Sequence, residues 1–186
     1  MNLANRISIA RILLIPFFVG SIVYYKNEGS IISYLPFIIF SAAVFTDAID
    51  GFIARRFNQK TELGTIMDPI ADKLLLISAF VCLSLSKSIP ENLRLPPWLP
   101  ILVISRDVII VLGSVLIHMI KGDIHVVPTY LGKATTFLQM STILCVLIKF
   151  PYSFVVWDLA GALTVMSGVN YIFRGSKLLS ENNGRK

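Results

Sequence analysis

The sequence predicts an all-α integral membrane protein with six transmembrane helices around a polar cavity that opens to the cytoplasm. Of the 186 residues, 55% are hydrophobic and only 15% are charged, whereas soluble domains carry about 25% charged residues. Apolar runs of about 20 residues, the length that crosses a bilayer, recur along the chain. A compact group of aspartates lies between two of these runs, and carboxylates at membrane depth usually mark a functional site.

Six apolar runs meet the length requirement for a span. The first resembles a signal peptide but has no small-residue cleavage site, so we interpret it as a retained span. Polar or proline-containing segments separate the others, such as Asn58-Gln59-Lys60 and the segment from Pro90 to Pro97. The chain length suits a single domain over 1–186. The predicted spans lie at roughly 7–25, 31–54, 66–86, 98–119, 131–150 and 153–174.

Basic residues predict the orientation, because loops rich in Lys and Arg stay in the cytoplasm. One side carries only Lys26, Lys87, Arg94 and Lys149. The other side carries Arg6, Arg11, Arg55, Arg56, Lys60, Lys121, Lys133, Arg174, Lys177, Arg185 and Lys186. Both termini and the aspartate group should therefore face the cytoplasm, in a multi-pass protein of the cell's inner membrane. In so apolar a chain, the net charge of +6 favours anionic lipid or an anionic substrate over nucleic acid.

The aspartates have helical spacing. Asp47 and Asp50 share a face of the second span, and Asp68 and Asp72 share a face of the third. If these spans are antiparallel neighbours, four carboxylates converge, and they cannot all ionise in a low dielectric without cations. Oxygen ligands favour Mg²⁺ or Mn²⁺. The sequence therefore predicts two divalent cations, an arrangement used in phosphoryl transfer.

Small residues accompany the aspartates. Gly51 and Ala54 lie on the aspartate face of the second span, and Gly64 lies one turn before Asp68. Glycine inside a helix costs roughly 1 kcal/mol relative to alanine, so we expect the space to serve a phosphate-bearing ligand, with Arg55 as a forked donor. Alternatively, the aspartates pair with Lys and Arg in a solvated loop, but that does not account for four of them at helical spacing.

The aspartates, small residues and arginine form one continuous pattern, Asp47-x2-Asp50-Gly51-x2-Ala54-Arg55-x8-Gly64-x3-Asp68-x3-Asp72. This pattern resembles the signature of the CDP-alcohol phosphatidyltransferases. The resemblance implies six transmembrane helices, usually in a homodimer, and two divalent cations. It also implies a cytidine diphosphate-linked donor and transfer of a phosphatidyl group to an alcohol with loss of CMP.

Carried over by position, the resemblance implies a role for each residue of the pattern. Asp47, Asp50 and Asp68 would be metal ligands. Asp72 would ligate a metal and also accept the proton of the attacking hydroxyl. The remaining positions would accommodate the cytidine and its phosphates, namely Gly51, Ala54 and Gly64, with Arg55 nearby.

Further segments indicate the acceptor. The opening from Asn2 to Pro16, and the stretch Gly132-Lys133-x-Thr135-Thr136, resemble bacterial members of the family that use sn-glycerol 3-phosphate. The predicted reaction converts CDP-diacylglycerol and glycerol 3-phosphate into phosphatidylglycerophosphate and CMP. Two segments differ: Ala4 replaces a usual proline, and Ser105-Arg106-Asp107 replaces a more frequent Ala-Arg-Glu. The Ser-Arg-Asp form also resembles family members that make cardiolipin, so phosphatidylglycerol is the alternative acceptor.

Glycerol 3-phosphate is an anion and requires cationic partners. Arg106 interrupts an apolar span, which is costly without a use; it either binds the acceptor's phosphate or pairs internally with Asp107. Lys133 is either a second phosphate ligand or a positive-inside anchor, and Arg11 could face the same cavity. The acceptor candidates are Arg106, Lys133, Lys73 and Arg174, the last of which is also placed to snorkel.

A small cation transporter is the alternative from a different class, with the aspartates as its ion path. The carboxylates cluster at one interface instead of following a pore, and a transporter has no use for Gly51, Ala54 and Gly64. The enzyme interpretation accounts for both features.

Overall fold

In the computed structural model the backbone is described for residues 3–24, 31–56, 62–121 and 129–183, and the side chains for 9–24, 33–47, 69–115, 119 and 129–176. These residues form α-helices and two short 3₁₀ helices, Ile31–Tyr34 and Glu91–Leu93, and no β-strand. The helices are α1 Leu3–Val23, α2 Leu35–Arg56, α3 Glu62–Leu85, α4 Trp98–Lys121, α5 Tyr130–Leu147 and α6 Ser153–Asn183. Each overlaps one predicted span, so the prediction of an all-α protein with six main helices is confirmed.

Helix boundaries differ from the predicted spans mainly at the ends. α1 begins at Leu3 and α3 at Glu62, each about one turn before the predicted span. α6 continues to Asn183, beyond the predicted span that ends at 174, so the helix includes a polar C-terminal tail. This tail contains no proline, and its Lys, Leu and Glu residues are good helix formers. Hydropathy detects only the membrane-length part of such a helix.

The end of α5 has a specific backbone cause. Phe150 N donates to Cys145 O at 2.9 Å, and Lys149 N donates to Val146 O at 3.0 Å. Lys149 adopts a left-handed conformation with φ of 58°. These features form a Schellman motif, which satisfies the last carbonyls of a helix. Pro151, which follows, favours a turn over continuation of the helix.

The contacts divide the chain into two compact units, and the prediction of a single domain over 1–186 stays a prediction. The first unit comprises residues 1–96 and 143–153. Within it, α1 packs against both α2 and α3. Phe18 of α1 and Phe40 of α2 are fully buried, with ring centroids 5.6 Å apart. Aromatic rings packed in this way stabilise the α1–α2 contact through close van der Waals contacts.

The second unit comprises residues 97–142 and 154–186. Its core contains polar side chains that join α5 to α6. Gln139 Nε2 donates to Thr164 Oγ1 at 3.1 Å, and Thr135 Oγ1 donates to Leu163 O at 3.3 Å. At Gly161 a Cβ atom would lie 2.8 Å from ring atoms of Trp98, so the glycine permits close packing. Small residues and interhelical hydrogen bonds are typical of helices packed in a membrane.

Two segments among the described residues are long and apolar enough to cross a bilayer, Glu91–Val115 and Ser153–Ser176. Large apolar side chains also cover outward faces, including Phe137 on α5 and Phe173 on α6. Exposed apolar surface on this scale is unfavourable in water and favourable in lipid. The count of six membrane crossings stays a prediction.

Candidate active site

Two of the predicted metal ligands lie together in the first unit. Asp47 of α2 and Asp72 of α3 both contact Arg11 of α1. Arg11 Nη2 lies 2.7 Å from Asp47 Oδ1, and Arg11 Nη1 donates to Asp72 Oδ1 at 2.5 Å. The arginine side chain is only 3% exposed, whereas the carboxylates are 35% and 31% exposed. The tertiary fold therefore brings the two carboxylates within the span of a single guanidinium.

The helix packing explains why Arg11 reaches both carboxylates. α1 contacts both α2 and α3, so a side chain on its inner face can meet residues from both helices. A guanidinium presents several donors in a rigid plane, which suits two carboxylates at once. A charge this deeply buried requires such partners, because desolvation costs several kcal/mol per ion.

The other residues of the predicted pattern are placed only by their helices. Asp50, Gly51, Ala54 and Arg55 lie in α2, and Gly64 and Asp68 lie in α3, but their side chains are outside the described part of the structure. No group of three or more His, Cys, Asp or Glu side chains that could hold a metal occurs among the described residues. Convergence of all four carboxylates therefore stays a prediction.

The described part of the site fits a hard divalent cation. Asp47 and Asp72 present carboxylate oxygens from two neighbouring elements, and both are partly open to solvent. Oxygen donors of this kind suit Mg²⁺ and Mn²⁺. When ionised, the two carboxylates carry two negative charges and Arg11 supplies one positive charge, which leaves a net negative site.

A second polar cluster surrounds Arg106 in the second unit. Its side chain is buried, with Nη1 2.7 Å from Asp107 Oδ1 and Nη2 donating to Ser167 Oγ at 2.8 Å. The guanidinium carbon lies 5.7 Å from the centroid of the Tyr171 ring, within the range of a cation–π interaction. The carboxylate, the hydroxyl and the ring together fix the orientation of the guanidinium.

Gly132 leaves room for this cluster. A Cβ atom at this position would lie 3.3 Å from Arg106 Nη2, 3.2 Å from Thr129 Oγ1 and 3.4 Å from the Tyr171 hydroxyl. Gly132 N donates to Thr129 Oγ1 at 3.0 Å, and Thr129 N donates to the Tyr171 hydroxyl at 3.4 Å. The start of α5 is thereby tied to α6 beside Arg106.

The internal pairing of Arg106 with Asp107, one of the two alternatives predicted for this arginine, is present in the structure. Binding of an acceptor phosphate by Arg106 stays a prediction. Of the other acceptor candidates, Lys133 and Arg174 are exposed and Lys73 is half-buried. The sequence does not predict Ser167 and Tyr171 as partners of Arg106. No spacing pattern links them to Arg106, and only the packing of α4, α5 and α6 reveals them.

Comparisons with known proteins agree on one family. The family model described as CDP-alcohol phosphatidyltransferase matches residues 1–169. A protein of Mycobacterium tuberculosis named "Probable phosphatidylglycerophosphate synthase" is 33% identical over 181 residues, covering 93% of this chain and 81% of the relative. Two proteins named CDP-diacylglycerol–glycerol-3-phosphate 3-phosphatidyltransferase are each 31% identical. The match to the Aquifex aeolicus protein covers 96% of this chain and 98% of the relative. The match to the Bacillus subtilis protein covers 98% of this chain and 99% of the relative.

Replacing Asp107 by asparagine should destabilise the second unit. The variant keeps the side-chain shape but leaves the buried Arg106 without its carboxylate, and breaking a buried ion pair costs about 3–5 kcal/mol. The midpoint of thermal unfolding of the purified protein in detergent measures the effect. Asp158→Asn is the matched control, because Asp158 is exposed on α6 and its replacement should change stability by less than about 0.5 kcal/mol. Equal midpoints for the two variants would contradict the prediction.

Proposed function

The chain belongs to the CDP-alcohol phosphatidyltransferase family, and on this basis we propose that it makes phosphatidylglycerophosphate. It is a CDP-diacylglycerol-dependent phosphatidyltransferase of phospholipid biosynthesis. In the proposed reaction, the phosphatidyl group of CDP-diacylglycerol passes to sn-glycerol 3-phosphate and CMP leaves. The observation that carries the proposal is the complete eight-residue aspartate pattern, two of whose carboxylates, Asp47 and Asp72, meet at one place.

The acceptor assignment is supported by the relatives. The Aquifex aeolicus and Bacillus subtilis proteins are named for glycerol 3-phosphate and match nearly the whole chain. The Mycobacterium tuberculosis protein is named for phosphatidylglycerophosphate. None of these three names indicates cardiolipin synthesis or ion transport, so glycerol 3-phosphate is the acceptor we propose.

The family generally depends on divalent cations. We propose that Asp47, Asp50, Asp68 and Asp72 hold two of them, Mg²⁺ or Mn²⁺. Bound cations would polarise the donor's diphosphate and neutralise the charge that develops on departing CMP. The partial exposure of Asp47 and Asp72 supports this assignment, because a ligand from solution must reach the carboxylates.

The remaining roles belong to the chain's own side chains. In this proposal Asp72 accepts the proton from the acceptor's primary hydroxyl as that oxygen attacks phosphorus. Its carboxylate and that of Asp47 both contact Arg11, so the two lie close together. Gly51, Ala54 and Gly64 accommodate the cytidine and its phosphates in this proposal, and Arg55 donates to a phosphate oxygen. Transfer is direct, without a covalent enzyme intermediate.

For the acceptor's phosphate we propose Arg106 as the main ligand, with Lys133, Lys73 and Arg174 as further cationic candidates. The support for Arg106 is its fixed orientation, since Asp107 and Ser167 hold the two terminal nitrogens. An arginine held in place loses little side-chain entropy when it binds a phosphate.

The protein is a membrane protein. We propose six crossings of the cell's inner membrane, with both termini and a polar cavity facing the cytoplasm, and assembly as a homodimer. The excess of Lys and Arg on one side of the chain supports this orientation. The headgroups react at the cytoplasmic face while the donor's acyl chains remain in lipid.

The direct test offers the purified protein CDP-diacylglycerol with one acceptor at a time. Labelled glycerol 3-phosphate should give labelled phosphatidylglycerophosphate, with one CMP released per product, as measured by thin-layer chromatography and nucleotide analysis. Phosphatidylglycerol should give no cardiolipin. Product with phosphatidylglycerol and none with glycerol 3-phosphate would assign the chain to cardiolipin synthesis. Ion flux in proteoliposomes without CDP-diacylglycerol would instead favour a transporter.

Asp72→Asn should remove turnover and leave donor binding largely intact. Loss of a general base lowers rates by roughly 10²–10⁴-fold, while the neutral amide occupies the same space. Transfer rate and binding of a CDP-diacylglycerol analogue are measured on the same preparation. Asp158→Asn, at an exposed position on α6, is the control and should retain activity. Full turnover in Asp72→Asn would refute the proton-acceptor role.

Removal of divalent cations should abolish the transfer reaction. We expect no product in excess EDTA and recovery after addition of Mg²⁺ or Mn²⁺, because the carboxylate ligands prefer hard cations. The assay follows CMP release over a titration of each cation at fixed substrate. Ca²⁺ serves as a comparison, because it carries the same charge but takes more ligands in a more flexible geometry. Undiminished transfer in EDTA would exclude a catalytic role for the cations.

A further inference from the structure

Both described metal-ligand candidates, Asp47 and Asp72, contact the same side chain, Arg11. It lies on α1, outside the eight-residue aspartate pattern. Its two terminal nitrogens reach carboxylates on two different helices, Asp47 on α2 and Asp72 on α3. A contact of this kind reduces the net negative charge at both carboxylates at once.

The burial of Arg11 makes its charge effective. The side chain is 3% exposed, so bulk water screens its interactions much less than those of a surface charge. A buried guanidinium without a counter-charge would be strongly unfavourable, and the two carboxylates supply that charge. The same two carboxylates, without the guanidinium, would repel one another and any further carboxylate nearby.

We propose that Arg11 is an internal counter-cation that competes with divalent cations for Asp47 and Asp72. The inference rests on the proposed function, in which these residues are metal ligands. The guanidinium engages one oxygen of each carboxylate, and its positive charge opposes the approach of a second cation to the same groups. When a cation binds these carboxylates, their stabilising interaction with Arg11 is lost in part or entirely. Arg11 therefore lowers the affinity of the site for that cation.

Arg11 thus connects stability to cation binding. It keeps the carboxylates neutralised, and the chain folded, at low cation concentration. It also sets the cation concentration at which the cation replaces Arg11 as the partner of those carboxylates. The contrasting role is a rigid clamp that pre-arranges Asp47 and Asp72 as ligands. The two roles predict opposite changes in cation affinity when Arg11 is replaced, because a clamp aids binding and a competitor opposes it.

The test measures Mn²⁺ binding to the purified full-length protein without substrate, from the electron paramagnetic resonance signal of free Mn²⁺. Arg11→Gln should tighten binding by about tenfold, within the usual range of coupling between two binding events. Arg11→Lys should lie between the wild type and Arg11→Gln, because a lysine is a point charge without the planar fork. Circular dichroism checks that each variant retains its helices.

Arg94→Gln is the matched control. Arg94 lies in the same compact unit, is half-buried, and donates Nη2 to the backbone oxygen of Ile89 at 3.2 Å. The substitution removes the same charge and the same side-chain type, but from a carbonyl instead of two carboxylates. Its Mn²⁺ affinity should equal that of the wild type. A gain equal to that of Arg11→Gln would show a general effect of net charge and overturn the proposal.

Thermal unfolding provides an independent readout. Without divalent cations, Arg11→Gln should unfold at a lower temperature than the wild type. Saturating Mn²⁺ should raise the unfolding midpoint of the variant by more than it raises that of the wild type. Mn²⁺ affinity that is unchanged or weaker in Arg11→Gln overturns the proposal. If that variant does not fold, the same comparison with Arg11→Lys decides.

The outcome is separable from that of the transferase assay. Tighter Mn²⁺ binding in a protein that makes no phosphatidylglycerophosphate would overturn the proposed function alone. Unchanged Mn²⁺ affinity in an active transferase would overturn the role of Arg11 alone.

Discussion

Charge buried among apolar helices is the constraint on which the rest of this structure depends. A carboxylate or guanidinium away from water is tolerated only when an opposite charge or a hydrogen-bond partner compensates it. In the first unit, Arg11 compensates Asp47 and Asp72, and α1 is packed against α2 and α3 where these charges meet. In the proposed reaction the same carboxylates hold divalent cations. The stability of this unit and its proposed chemistry therefore both depend on the charge of the Asp47 and Asp72 carboxylates.

The second unit meets the same constraint in a different way. Arg106 has a carboxylate next to it in the chain, and hydroxyl and aromatic partners, Ser167 and Tyr171, from α6. Gly132 provides the space in which these groups meet. An arginine with this many contacts is held in one orientation before any ligand arrives. Preorganisation of this kind suits recognition of a small anion such as a glycerol phosphate.

The Ser-Arg-Asp segment of α4 also acquires a physical meaning. By its resemblance it pointed to two acceptors, glycerol 3-phosphate and phosphatidylglycerol. In the structure Asp107 is the ion-pair partner of Arg106 at 2.7 Å, a role that concerns the placement of the arginine. The relatives named for glycerol 3-phosphate cover nearly the whole chain. The departure at this segment is therefore compatible with the proposed acceptor.

The sequence by itself determined the helices and the reaction class. Apolar runs and helical spacing are local properties, so the six helices and the pattern from Asp47 to Asp72 could be predicted without contacts. Only the tertiary structure decided which charges meet. Arg11 lies 61 residues before Asp72, and Ser167 lies 61 residues after Arg106. No local pattern encodes such pairs, because they depend on which helix faces pack together. The end of α5 at Lys149 likewise required its backbone conformation.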